Sequence, residues 1–290
     1  MNQMEPVARK VAIESDMSDA AYARIVALSK SQAGIVLSPS KVPMVKSRLT
    51  RRLRALDIAT FDGYLDYLEN TDNLDEMSAF ISALTTNVTQ FFRENHHFEY
   101  IKSTVYPKLK AKLARGEKVR IWSAGCSNGQ EPYSLAMTFL ECDPSIGTKD
   151  FLILGSDIDP LVLETARAAV YADNLIAGIP PAALAASFTT SQTADGLSYH
   201  VTDAVKSMVR FRQLNLNEPW PMQGAFDLII CRNVMIYFDE PTQSRLLSRF
   251  ADKLDKEGWL MIGHSERLPE NTTSLFSNVG ITTYQRAQTN

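Results

Sequence analysis

Two patterns of apolar residues divide this chain near residue 87. Between residues 18 and 86 the apolar side chains recur at intervals of three and four, the spacing of amphipathic helices. We predict a first helix over 19–31, with Ser18 as its N-cap. Three more helices are predicted from apolar faces within 42–56, 61–68 and 77–84. This part of the chain is typical of a small helical interaction domain.

After residue 87 short apolar runs alternate with helical stretches. Strands are predicted at 119–123, 151–156, 226–231 and 259–263, with helices at 131–141, 160–169 and 241–255. This order favours an α/β fold, with a doubly wound sheet whose strands are buried on both faces. Shorter alternating segments at 196–214 predict a small antiparallel β insert, which we place at about 172–214. The predicted organisation is a flexible N-terminus (1–17), a helical domain (18–86) and an α/β domain (87–290).

Composition indicates the class of protein and its cellular compartment. The 290 residues are 45% apolar and 22% charged, as in ordinary globular proteins, and no apolar run resembles a signal peptide or a membrane span. The cysteines Cys126, Cys142 and Cys231 show no close metal-binding spacing. We therefore expect a cytoplasmic protein without disulfides that does not insert into a membrane.

The loop after the first predicted strand is a candidate ligand site. It reads AGCSNGQEP over 124–132, and ligands of open α/β sheets bind beyond the carboxyl ends of the strands. Gly125 and Gly129 would allow a tight turn and a close approach to a ligand. The loop lacks both the G-x-G-x-x-G spacing and a Walker lysine, so a cofactor without phosphate, such as S-adenosylmethionine, fits better. A glycine turn with only a structural role is the alternative.

The second strand ends in the acidic sequence GSDID at 155–159. Asp157 lies closest to the strand end, where a carboxylate can accept hydrogen bonds from the ribose hydroxyls of an adenosine. Asp159 is expected to cap the helix that begins near Pro160. The alternative is that both aspartates serve only the helix terminus.

Several sequence blocks together resemble the chemotaxis receptor methyltransferases of the CheR type. They are TTNVTQFFRENHHF (85–98), IWSAGCSNGQEPYSLAM (121–137), GSDID (155–159), DLIICRNVMIYFD (227–239) and GHSE (263–266). The resemblance covers about residues 18–286. It implies a Rossmann-like class I methyltransferase sheet with a small antiparallel β insert, preceded by an all-α domain. Gln130 departs from the family, which more often has Glu there, and is assigned no role.

The resemblance also implies the cofactor, S-adenosyl-L-methionine, which leaves as S-adenosyl-L-homocysteine. The cofactor-binding residues that it implies are Asn87, Thr89, Arg93, Glu131, Asp157, Asn215, Leu216, Asn233 and Val234. Gly125 of the glycine loop is expected to bind the cofactor with them. Glu131 would lie near the sulfonium and amino groups. Its alternative role is favourable placement in the first turn of a helix.

Two residues are candidates for catalysis. The guanidinium of Arg93 can orient a substrate carboxylate through its planar fork, and Tyr237 can assist with a hydrogen bond. Arg93 would otherwise pair with Glu94 or Glu99 on the surface, and Tyr237 would otherwise serve packing. The pair His96 and His97 points about 100° apart on a helix, so we expect no metal site.

A basic segment marks the second helix. Residues 41–54 contain six basic residues and no acidic one, although the net charge of the chain is −3. Lys46, Arg48, Arg51 and Arg52 are therefore candidates for docking the glutamate-rich methylation region of a chemoreceptor. A solvated helix face is the alternative.

The sequence thus predicts a monomeric protein-glutamate O-methyltransferase that acts on methyl-accepting chemotaxis receptors. A non-catalytic cofactor-binding scaffold of the same fold is the second hypothesis. An RNA methyltransferase is the third hypothesis. The chain outside residues 41–54 is acidic and shows no set of aromatic residues on which bases could stack, so we expect no nucleic-acid partner.

Overall fold

The structure, a computed structural model, describes residues 16–70, 74–194 and 196–288. The chain divides into two compact units between Thr86 and Asn87. The segment 1–17, predicted to be flexible, lies almost entirely outside the described residues. None of the described helices is long and apolar enough to cross a membrane.

The first unit contains four α-helices in its described part, each where the apolar spacing predicts one. They are α1 (Asp19–Ala33), α2 (Val42–Leu56), α3 (Phe61–Asn70) and α4 (Leu74–Leu84). Ser18 caps α1 as predicted, because its hydroxyl oxygen accepts a hydrogen bond from the amide of Ala21 over 3.0 Å. The helices pack around a buried apolar core that includes Ile25, Val45, Leu49, Leu53, Phe61, Leu65 and Phe80.

The second unit is built on strands that the described residues arrange in two sheets. In chain order they are β1 (Val119–Ala124), β2 (Phe151–Asp157), β3 (Val170–Ala172), β4 (Phe188–Thr193), β5 (Gly196–Val201), β6 (Val209–Gln213), β7 (Phe226–Cys231), β8 (Leu254–Ile262), β9 (Phe276–Gly280) and β10 (Thr283–Arg286). The large sheet has the order β6-β2-β1-β7-β8-β10-β9, and the small one has the order β3-β5-β4. The first five strands of the large sheet are parallel, whereas β9 and β10 form an antiparallel edge.

The α-helices of the second unit's described part are α5 (His96–Tyr100), α6 (Tyr106–Ala114), α7 (Gln130–Cys142), α8 (Pro160–Ala168), α9 (Pro181–Ser187), α10 (Asp203–Lys206) and α11 (Glu240–Lys253). Of these, α6, α7, α8 and α11 pack on strands of the large sheet. Successive residues of β1 point to opposite faces, so Ile121 and Trp122 belong to two separate apolar clusters. Trp122 packs against Trp220, Phe226 and Phe250. The predicted α/β class is confirmed.

One boundary of the predicted insert was wrong. The small antiparallel sheet begins at Val170, and the stretch 209–213 leaves it to become β6, which pairs in parallel with β2. The ring of Phe211 fills the space beside Gly155, where a β-carbon would come within 2.8 Å of it. This contact joins segments that are distant in sequence, so local alternation could not reveal it.

The strand order reverses at β1, whose neighbours are β2 and β7. After β1 the chain builds one half of the sheet through β2 and β6, and it then crosses to β7 on the other side of β1. In open α/β sheets ligands bind at this reversal, outside the carboxyl ends of the strands. The loops after β1, β2 and β7 therefore meet at one edge.

Candidate functional site

The loops after β1 and β7 touch at Gly125 and Val234. Gly125 has φ of 80°, a left-handed conformation that favours glycine, and a β-carbon there would overlap the side chain of Val234. Only glycine allows both the turn and this contact. Two residues predicted to bind the cofactor are thus brought together, and the structure supplies a reason for the glycine.

The two aspartates after β2 have different surroundings. The carboxylate of Asp157 accepts hydrogen bonds from the amides of Ser127, over 2.8 Å, and Asp159, over 3.0 Å. Burial raises the pKa of Asp157 above its usual range, against the effect of these amides. Asp159 caps α8 as predicted, accepting from the amide of Leu161 over 2.9 Å. Asp157 therefore stands at the strand end with its carboxylate fixed, and its contact with ribose stays a prediction.

Asn87 and Thr89 lie in the segment that opens the second unit, and both are half-buried. The side-chain amide of Asn87 donates to Oδ2 of Asp159 over 2.8 Å, and the hydroxyl of Ser127 donates to the carbonyl oxygen of Asn87 over 3.2 Å. These bonds tie the segment to the loops after β1 and β2. Both residues therefore border the predicted site, and their contact with the cofactor stays a prediction.

Glu131, in the first turn of α7, is buried, and both of its carboxylate oxygens have partners. Oε1 accepts from the hydroxyl of Ser123 over 2.6 Å, and Oε2 accepts from Nε of Arg232 over 2.7 Å. Each oxygen retains a lone pair that could accept a further hydrogen bond. Glu131 thus forms a structural ion pair that the sequence did not reveal. Its contact with the cofactor stays a prediction.

Arg232, for which the sequence indicates no role, joins several parts of the site. Besides its pair with Glu131, its Nη1 donates to the carbonyl oxygen of Arg93 and lies 3.4 Å from Nδ1 of His97. Its guanidinium also stacks over the ring of Phe98 at 5.6 Å. Arg232 therefore fixes the backbone of the residue that we expect to orient the substrate.

Arg93 lies on a strained loop and is half-buried. Its neighbours Phe92 and Glu94 have φ of 52° and 57°, values that non-glycine residues rarely adopt. Nη1 of Arg93 donates to the carbonyl oxygen of Val88 over 3.0 Å. Glu94, the partner expected under the alternative interpretation, instead accepts from Nδ1 of His264 over 2.9 Å.

The remaining predicted residues follow β6 and β7. The amide of Leu214 donates to the carbonyl oxygen of Asp157 over 2.9 Å, which places Asn215 and Leu216 beside the end of β2. Leu216 is buried in the apolar cluster around Trp122, so it also serves packing. Tyr237 ends a short 3₁₀ turn, Met235–Tyr237, and is half-buried.

Glu94, His96 and His97 bring potential metal ligands within 4.8 Å of one another. Oε2 of Glu94 and Nε2 of His96 are buried and without hydrogen-bond partners. However, the Arg232 guanidinium already places a positive charge against Nδ1 of His97, and burial together with this charge lowers the pKa of His97 to about 3. A second cation would be repelled there, so the absence of a metal stays our prediction.

The basic residues of α2 fall into two groups. Arg48 donates to the carbonyl oxygens of Ala83, Leu84 and Thr85, and so caps the C-terminus of α4. Arg52 pairs with the buried carboxylate of Glu76, its Nε lying 3.1 Å from Oε1. In contrast, Lys46 pairs with the exposed Asp16, and Arg51 and Arg54 are exposed.

Comparison with known proteins agrees with this architecture. The family model "CheR methyltransferase, SAM binding domain" matches residues 87–285, and "CheR methyltransferase, all-alpha domain" matches residues 20–85. A Rhizobium etli protein named "Probable chemotaxis protein methyltransferase" is 43% identical over 88% of this chain and 95% of its own.

Two further relatives show similar levels of identity. The "Chemotaxis protein methyltransferase 2" of Pseudomonas aeruginosa is 40% identical over 88% of each chain. The "Chemotaxis protein methyltransferase" of Escherichia coli is 41% identical over 86% of this chain and 85% of its own. This chain is a member of the CheR methyltransferase family, with the family's all-α domain followed by its S-adenosylmethionine-binding domain.

Proposed function

We propose that the protein is a protein-glutamate O-methyltransferase that forms methyl esters on the cytoplasmic methylation regions of chemoreceptors. The observation with most weight is the convergence of the loops after β1, β2 and β7 at the reversal of strand order. Gly125 and Val234 lie in the loops after β1 and β7, and Asp157 is the last residue of β2. Membership of the CheR family, whose relatives are named chemotaxis methyltransferases, supports the substrate class.

The residues present fit S-adenosylmethionine. The glycine loop has no phosphate-binding lysine and is closed by Val234, whereas Asp157 has a fixed carboxylate that would accept hydrogen bonds from two ribose hydroxyls. When bound, S-adenosylmethionine supplies a methyl group made electrophilic by its sulfonium charge. A glutamate side chain is already ionised near neutral pH, so the protein needs no general base.

The protein must therefore align the substrate carboxylate with the methyl group and exclude water. An anion that meets a cation loses charge in the transition state, so bulk water would stabilise the reactants more than the transition state. Arg93 would orient the incoming carboxylate, and the bond from Arg232 to its carbonyl oxygen holds the backbone of Arg93 in place. Tyr237 would donate a hydrogen bond to the same carboxylate.

Receptor docking would use the exposed basic residues of α2. Arg51 and Arg54 are exposed and would attract a glutamate-rich helix, whereas Arg48 and Arg52 already have partners within the first unit. We include Lys46 in the docking surface, because an exposed pair such as Lys46 and Asp16 is weak and readily exchanged.

The test is methyl transfer from radiolabelled S-adenosylmethionine to receptor-enriched membranes. We expect incorporated label that mild base releases as methanol, which identifies a methyl ester. Asp157→Ala serves as the control and should lose most of the label. Cofactor binding without any base-labile product would contradict the proposal and favour a non-catalytic scaffold.

A further inference from the structure

Glu266 is a buried carboxylate with four backbone amides as donors. It lies in the turn Gly263–Glu266 that follows β8, and its exposure is 4%. Oε1 accepts from the amides of Val234, over 3.0 Å, and Met235, over 2.8 Å. Oε2 accepts from the amides of Asn233, over 3.0 Å, and Gly263, over 2.6 Å. Both oxygens are thus saturated by main-chain donors.

Three of these donors are consecutive residues of the loop after β7. Asn233 has φ of 60°, a left-handed conformation that costs free energy in a residue other than glycine. A run of amides that point to one side favours an acceptor with negative charge, and Glu266 supplies one from a different strand connection. The shape of the loop therefore depends on a side chain that is distant in sequence.

The same loop closes on the glycine turn after β1. Val234 packs directly over Gly125, where a β-carbon would overlap its side chain. A displacement of Asn233 and Val234 would therefore change the space beside Gly125. The carboxylate that holds the loop controls the geometry of both segments.

We propose that Glu266 is a positioning residue for the cofactor site, which it shapes by holding the amides of Asn233, Val234 and Met235. The inference rests on the proposed roles of Asn233 and Val234 as cofactor contacts. A role restricted to stability is the alternative, and the two roles differ in their effect on cofactor affinity.

Glu266→Gln is the primary variant, because it keeps the size of the side chain and removes one acceptor. In either orientation its amide group faces two backbone donors, so the loop must move. We expect the dissociation constant of S-adenosylhomocysteine, measured by calorimetry well below the melting temperature, to rise about tenfold to a hundredfold. The reason is that binding must restore the loop geometry that Glu266 no longer holds, at a cost comparable to about two buried hydrogen bonds.

Asp227→Asn is the matched control. Asp227 is also a buried carboxylate, which accepts from Nζ of Lys112 and the amide of Arg120, but it lies near the start of β7, away from the site. We expect this variant to lower the melting temperature and leave the dissociation constant within about twofold. A Glu266→Gln protein that binds as tightly as the wild type would overturn the proposal.

Gly263→Ala tests the same loop with Glu266 intact. A β-carbon at Gly263 would lie 2.8 Å from Oε2 of Glu266 and 2.9 Å from the amide nitrogen of Asn233, so it pushes the two apart. We expect weaker binding, whereas Gly224→Ala, whose β-carbon would meet nothing within 4 Å, should bind normally. Unchanged binding in Gly263→Ala contradicts the proposal even if Glu266→Gln fails to fold. These measurements use no receptor, so their outcome is independent of whether the substrate is a receptor glutamate.

Discussion

Nε of Arg232 donates to Oε2 of Glu131 over 2.7 Å, and both side chains are more than nine-tenths buried. The pair joins the segment after β7 to the first turn of α7. The other end of the same guanidinium donates to the carbonyl oxygen of Arg93. A buried ion pair thus links a residue expected to bind the cofactor to one expected to orient the substrate.

Loss of Arg232 should affect both stability and turnover. Arg232→Met leaves the carboxylate of Glu131 buried without its cation, so we expect the free energy of unfolding to fall by about 3–5 kcal/mol. Methyl transfer should also fall, because the backbone of Arg93 loses its anchor. Chemical denaturation and radiolabel transfer measure the two effects.

The double variant Arg232→Met, Glu131→Leu is the control for this pair. It removes both charges, so it should regain most of the lost stability and none of the activity. A double variant no more stable than Arg232→Met would show that the ion pair is not the source of the loss.

Arg93→Ala should separate turnover from cofactor binding. Its guanidinium is expected to act on the substrate carboxylate, so we expect kcat to fall roughly a hundredfold or more while the affinity for S-adenosylhomocysteine changes little. Arg115→Ala, at an exposed arginine of the same unit, should leave both unchanged. Equal losses in turnover and affinity for Arg93→Ala would contradict the substrate role and leave Arg93 only the cofactor contact that the resemblance implies.

Substitutions of the basic residues of α2 should differ in their effects on receptor methylation and on stability. Reversing the exposed charges with Arg51→Glu and Arg54→Glu should slow receptor methylation, more so at low salt, and change stability by no more than about 0.5 kcal/mol. Arg48→Glu should instead destabilise the first unit by about 1–3 kcal/mol, because it removes the hydrogen-bond donor to the carbonyl oxygens at the end of α4. Methylation that is insensitive to Arg51 and Arg54 would exclude this face as the docking surface.

His97 should make the protein less stable in acid. Burial and the Arg232 guanidinium lower its pKa to about 3 from the ordinary 6.5, so between these values the unfolded chain binds a proton that the folded chain does not. The free energy of unfolding therefore falls as the pH drops through 6.5 towards 3. From pH 7 to pH 5 this amounts to about 2 kcal/mol. Urea titrations of wild type and His97→Gln should show that difference; parallel pH dependences would contradict it.

Periodicity predicted most of the fold because the interactions it reports are local. The helices of the first unit and the strands β1, β2 and β7 lie where the apolar spacing places them, with ends displaced by at most a few residues. The assignment of β6 failed because five alternating residues pair equally well with an antiparallel or a parallel neighbour. The parallel pairing brings Phe211 into the space beside Gly155, a contact between distant segments that periodicity does not report.

The site was predicted mainly from motifs, and its supporting residues were missed. Arg232 and Glu131 are 101 residues apart, and Glu266 lies 32 residues beyond Val234, so no periodic pattern connects them. Arg232 was visible only as a charge directly after a buried strand, and Glu266 only as part of a matching block. Likewise, Arg48 and Arg52 were docking candidates because they lie in a basic segment, and no local pattern could show that both contact α4.

The most direct test of the proposed function is the position of the transferred methyl group. The protein is incubated with S-adenosylmethionine that bears a trideuterated methyl group and with a chemoreceptor cytoplasmic fragment from the same organism, and the peptides are sequenced by mass spectrometry. We predict the deuterated methyl on glutamate side chains, absent when those glutamates are replaced by alanine. Label on any other side chain, or no label with active cofactor binding, would contradict the proposed function.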